Sequence, residues 1–84
     1  MKVNGNRVRW EVAPQKGVFG WTLTRDGQII RSYLFRYRAK SDAVQSCNFE
    51  FDTMNIRSEL IVKRKNGRIA EKNTYGDDPR GTVG

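Results

Sequence analysis

Histidine is missing from this sequence and cysteine occurs once, at Cys47. The nucleophile–base pairs that side chains most often assemble therefore have no members to draw on. A lone cysteine also excludes an intramolecular disulfide and a cysteine-based zinc site, and it fits a reducing, cytoplasmic setting. The acids offer little more. Asp77 and Asp78 are adjacent in a stretch that reads as loop, and Glu50 and Asp52 lie two apart on a helical pattern, where neighbours do not face each other. The glycines fall at turn positions, so no phosphate-cradling loop is built. The expectation is a protein without catalytic residues, cofactor or metal.

The basic residues are the chemistry that remains. Sixteen Lys and Arg against nine Asp and Glu leave a net charge of +7. Such an excess favours polyanionic partners, either nucleic acid or an acidic protein surface. It is also uneven. From Lys40 to Met54 the chain carries one cation and three anions, a net of −2, which leaves +9 for the rest. No apolar run approaches the ~18 residues of a membrane span, and the N-terminus does not resemble a signal peptide, so a soluble protein without a membrane partner is expected.

At 84 residues the chain reads as one domain, 1–84, with loose ends at 1–6 and 80–84. A domain this small buries only ~60–65% of its unfolded surface, too little for a deep cleft. Residues 7–12 alternate, with Val8, Trp10 and Val12 on one side and Arg7, Arg9 and Glu11 on the other, the period of a half-buried strand. A second strand spans about Trp21 to Thr24. Asp26-Gly27 is a two-residue hairpin turn into a third, about Ile29 to Tyr37. From about Lys40 to Asn55 the period becomes helical, with Ala43, Val44, Cys47, Phe51 and Met54 in one stripe. Cys47 in that stripe reads as a small buried hydrophobe. Glu59–Lys63 and Arg68–Lys72 then form a hairpin about Asn66-Gly67. The expected fold is α+β, a two-layer sandwich in the order β-β-β-α-β-β: an antiparallel meander with one helix packed on one sheet face. Its core should hold Trp10, Trp21, Leu23, Cys47, Phe51, Leu60 and Val62.

If the helix covers one face, the cations belong to the other face and the loops. Aligned registers would gather Arg7, Arg9, Arg31, Lys63, Tyr33, Phe35 and Tyr37 on an open sheet surface, a pattern suited to single-stranded nucleic acid. A slip of one residue would instead turn Tyr33 and Phe35 inward and leave an ordinary solvated face. The hairpin tip forms a second cluster, with Lys63, Arg64, Lys65 and Arg68 about its turn. Such a tip can track phosphates; lysines there equally serve to block edge-to-edge aggregation. Phe49 lies opposite the helical stripe, in solvent, where it could anchor a homodimer or a partner protein.

The stretch from Ser58 to Pro79, with Gly67-Arg68-Ile69 and a closing Tyr75-Gly76 and Asp78-Pro79, resembles the bacterial and phage domain-of-unknown-function family numbered 2188. Gly20-Trp21 is similar to that family's Gly-Trp near its second strand, and Lys40 to Ala43 stands where its helix begins. Phe49 and Phe51 depart from the family's alanine-rich helix. The resemblance implies the same α+β fold and a cytoplasmic setting, and it brings no catalytic or binding residues. Its occurrence in phages suggests, as the alternative to nucleic-acid binding, an accessory or inhibitor protein of a mobile element acting through protein contacts of Phe49 and the third-strand edge.

Overall fold

The computed structural model describes residues 7–76. Strand β1 (Val8–Pro14) is followed by β2 (Trp21–Arg25), β3 (Gln28–Tyr33), helix α1 (Arg36–Met54), β4 (Ser58–Lys63) and β5 (Ile69–Tyr75). The fold is α+β, as the pattern implied: one five-stranded sheet in the order β3-β2-β1-β4-β5 with α1 laid on one face. The ends 1–6 and 80–84, and the Asp77-Asp78-Pro79 segment, lie outside the described residues.

The sheet is mixed. The β1–β2–β3 meander and the β4–β5 hairpin are antiparallel, but β4 runs parallel to β1, with Trp10 beside Leu60 and Val12 beside Val62. The direction follows from the helix. Leaving the top of β3, α1 runs back down the sheet, so the next strand must run up, as β1 does.

The third strand also ends earlier than its aromatic run suggests. It stops at Tyr33, and α1 starts at Arg36, four residues before the expected Lys40. Phe35 takes an extended conformation (φ −123°, ψ 142°), and its carbonyl accepts the amides of Arg38 and Ala39. Tertiary burial overrides the strand preference of Tyr-Leu-Phe-Arg-Tyr: starting at Arg36 adds Ala39 to a row with Ala43 and Cys47, four residues apart and fully buried. These small residues let the helix lie close against Trp10, Val12, Leu23, Leu60 and Val62. Trp21 and Phe51, expected in the core, are half-buried, and Met54 at the end of the stripe is exposed. Cys47 is sealed, and burial pushes its thiol pKa up.

The first hairpin has the predicted two-residue loop, with positive φ at Asp26 (51°) and Gly27 (87°). The second closes over Lys65-Asn66-Gly67. Arg64 accepts from Gly67 and donates to Arg68, and Asn66 Oδ1 accepts the Arg68 amide at 3.0 Å.

Candidate nucleic-acid interface

The open sheet face does not assemble the expected cation–aromatic surface. Register places Arg31 beside Leu23 and Tyr33 beside Trp21, on the face that α1 covers. There Tyr33 Oη donates to Asp42 Oδ2 at 2.6 Å, and Arg31 Nη1 stands 3.8 Å from the same carboxylate. Burial and that hydrogen bond push the Tyr33 phenol up to about 12. Phe35 and Tyr37 leave the sheet with the early helix start. Arg7 turns onto the carbonyls of Ser58 and Tyr75, at 3.1 and 3.2 Å, near the foot of the sheet. The bulge at Leu23/Thr24, which shifts the pairing of β3 by one residue, sets the face of Arg31 and Tyr33.

Arg9 and Lys63 do lie on the open face, but each is neutralised by a neighbour. Arg9 Nε meets Glu59 Oε2 at 3.0 Å, and Lys63 Nζ meets Glu11 Oε2 at 2.9 Å. Between the bridges Ile61, beside Glu11 of β1, is only 4% exposed. Lys72, beside Ile61 on β5, is the exposed cation of this face that no described carboxylate pairs, so most of the face's charge is compensated.

Apart from Arg57 at the foot of β4 and Lys72 on β5, the remaining positive charge of the described residues gathers at one end of the molecule. Pairing of Pro14 with Trp21, Trp21 with Tyr33, and Lys63 with Ile69 brings three connections together: the β1–β2 loop, the β3–α1 turn and the β4–β5 tip. They carry Lys16, Arg36, Arg38, Arg64, Lys65 and Arg68, all exposed and none in an ion pair with a described carboxylate. An open cleft of about 370 Å³ separates Lys16 on the β1–β2 loop from Lys63 and Lys65 on the hairpin. A smaller hollow of about 180 Å³ beside it is lined by Val18, Phe19, Trp21 and Lys65. Gly20 lets the β1–β2 loop lie close to the end of β3: at φ +122° a side chain there would stand 2.8 Å from the Tyr33 carbonyl oxygen.

Aromatic rings stand among these cations. Phe19 is 68% and Tyr37 67% exposed, and Phe35 stacks on Tyr37 with centroids 5.9 Å apart. The Arg36 guanidinium lies 5.7 Å over the Trp21 ring.

Helix α1 adds its own field. Three cations (Arg36, Arg38, Lys40) open it and Glu50 and Asp52 end it, with no acid in its first turn and no base in its last. Each charge opposes the helix dipole, and Phe35 supplies no side-chain cap to the free amides. Lys40 is offset by Glu71, at 2.7 Å. The positive helix end thus reinforces the cations around it.

Of the expected residues, Arg64, Lys65, Arg68 and Phe35 belong to this end, Lys63 borders its cleft, Arg31 and Tyr33 share a hollow with Phe35 and Arg38 on the helix side, and Arg7 and Arg9 do not join it. Lys16, Phe19, Arg36 and Arg38 were not singled out by type or spacing. The available signal was Val18-Phe19, an apolar pair in a glycine-flanked loop. Among the described residues no cluster of three or more Cys, Asp or Glu could hold a metal ion, and no helix is long and apolar enough to cross a membrane. No family model matches the chain, and neither does any curated protein or solved structure.

Proposed function

We propose that the protein is a non-enzymatic binding module that engages single-stranded nucleic acid through the basic end of its sheet. The observation that carries this reading is the separation of charge. Arg9 and Lys63 on the sheet face are matched by carboxylates, whereas Lys16, Arg36, Arg38, Arg64, Lys65 and Arg68 are left unmatched together, beside exposed Phe19, Phe35 and Tyr37. Unmatched cations and an uncapped helix start cost stability, and phosphates would offset both. Rings held among them suit splayed bases better than a stacked duplex.

Titration of a labelled single-stranded oligonucleotide at several salt concentrations tests it. Four to six phosphate contacts give a log–log salt slope of about 3 to 4, at roughly 0.7 per contact. Lys65→Ala and Arg68→Ala each lower the slope by about one contact's worth, and Arg9→Ala leaves it unchanged. Phe19→Ala weakens binding by ~1–3 kcal/mol at constant slope, as loss of a stacking ring does. Absence of binding at low salt, or equal sensitivity to Arg9→Ala and Lys65→Ala, overturns the reading.

A further inference from the structure

Strand β3 is an edge of the sheet, and along its outer side its backbone donors and acceptors have no neighbouring strand. Five of its six residues are exposed, including Ile29 at 71% and Ile30 at 51%. The opposite edge, β5, carries Glu71, Lys72, Asn73 and Thr74, the polar residues that keep an edge from recruiting another chain. β3 carries less of this protection: Gln28, Ser32 and an exposed Arg31, 3.8 Å from Asp42, flank the two isoleucines, and one bulge interrupts the strand at Ile30. Beside it an open groove of about 550 Å³ runs between β3 and α1, with Ile30 and Phe49 on its rims and Trp10 and Leu23 in its floor.

The charge order of α1 identifies the occupant. Arg38, Asp42, Gln45, Phe49 and Asp52 recur at intervals of four and three, one side of the helix, and Arg38, Asp42, Gln45 and Phe49 line the hollows along β3. The stripe is basic at its start and acidic at its end. The basic end lies at the Tyr33 end of β3, and the acidic end lies near the Asp26-Gly27 turn. A second copy paired antiparallel on β3 would set Arg38 toward the partner's acidic helix end and keep the two basic sheet ends far apart, whereas parallel pairing would force them together against a net charge of +7 on each chain.

The geometry points to a homodimer formed by antiparallel β3–β3 pairing, which continues the sheet across a twofold axis and buries Ile29, Ile30 and Phe49 of both copies. The seam involves about ten residues a side, below the roughly 20–30 of a standard interface, so the dimer is a weak one that forms at high micromolar concentration. It shares Arg38 with the basic end but does not depend on nucleic-acid binding.

Sedimentation equilibrium of the nuclease-treated full chain between about 10 µM and 1 mM tests the proposal. The average mass rises from 9.7 kDa toward twice that value. The double substitution Ile29→Lys with Ile30→Lys raises the dissociation constant at least about tenfold, because buried lysines on a shared edge repel and lose hydration. Both side chains are more than half exposed, so the dilute variant should melt where the parent does, which separates lost pairing from lost folding. Isotope-filtered NMR of mixed labelled and unlabelled chains shows contacts from residues 28–33 of one copy to 28–33 of the other, in antiparallel order. A monomer throughout the range, a dimer that survives the double substitution, or parallel contacts would each overturn it, whatever other chain then occupies the groove.

Discussion

Tyr33 shows how a single side chain can change its meaning with its face. On an open sheet its ring would be a stacking platform; against α1 its hydroxyl is a donor held on Asp42 at 2.6 Å. The phenol stands at about 12 in the folded state against an ordinary value of 10.0, because burial and the Asp42 carboxylate both disfavour phenolate. A group whose pKa is raised on folding stabilises fully below its unfolded pKa and loses that contribution as pH rises through the folded one. The protein should therefore lose stability between about pH 10 and 12. Tyr33→Phe should be ~1 kcal/mol less stable at pH 7, having lost one hydrogen bond, with the difference shrinking across that window. Urea midpoints at pH 7, 10 and 11.5 measure it. A constant difference would mean that Tyr33 does not bond Asp42. Tyr75, also raised by burial, is common to both proteins and cancels in the comparison.

At the scale of the element, α1 is arranged against its own stability. Phe35 occupies the N-cap with suitable backbone angles but no oxygen to offer the free amides, and half its surface is in water. Phe35→Ser supplies that oxygen. It should stabilise the protein by ~0.5–1 kcal/mol after the lost contact with Tyr37, which for a domain of this size is a rise of several degrees in Tm. The same change should weaken oligonucleotide binding, since it removes a ring from the basic end. Calorimetry and the titration, run on one sample, check both signs. A variant that is less stable would show that the ring matters more to packing than the cap does.

The whole molecule is held by one thin layer between sheet and helix, so stability is concentrated in few side chains. Leu60 is fully buried on a central strand, and Leu60→Ala should cost ~2–5 kcal/mol. A domain of this length holds only about 4–12 kcal/mol in all. Phe51, half-buried against Gly76 near the foot of the sheet, should cost less on truncation to Ala despite its larger ring. Chemical denaturation of the two variants ranks them; the reverse order would place the core nearer the helix C-terminus than at Leu60.

The sequence by itself determined the elements whose signals are local. Alternation in residues 7–12, the Asp26-Gly27 turn and the helical row through Ala43 and Cys47 each follow from backbone geometry acting within a few residues, and with them the α+β class and a buried Cys47 were legible. Phe49 in solvent was legible for the same reason. The tertiary structure alone decided which cations lie together. The one-residue bulge in β3 turned Arg31 and Tyr33 toward the helix, the early start of α1 carried Phe35 and Tyr37 off the sheet, and the parallel β1–β4 pairing set Glu59 and Glu11 against Arg9 and Lys63. A charge is worth what its neighbours leave of it. Those neighbours lie some fifty residues away in the chain, on strands whose pairing depends on where the helix returns, a relation that no local pattern encodes.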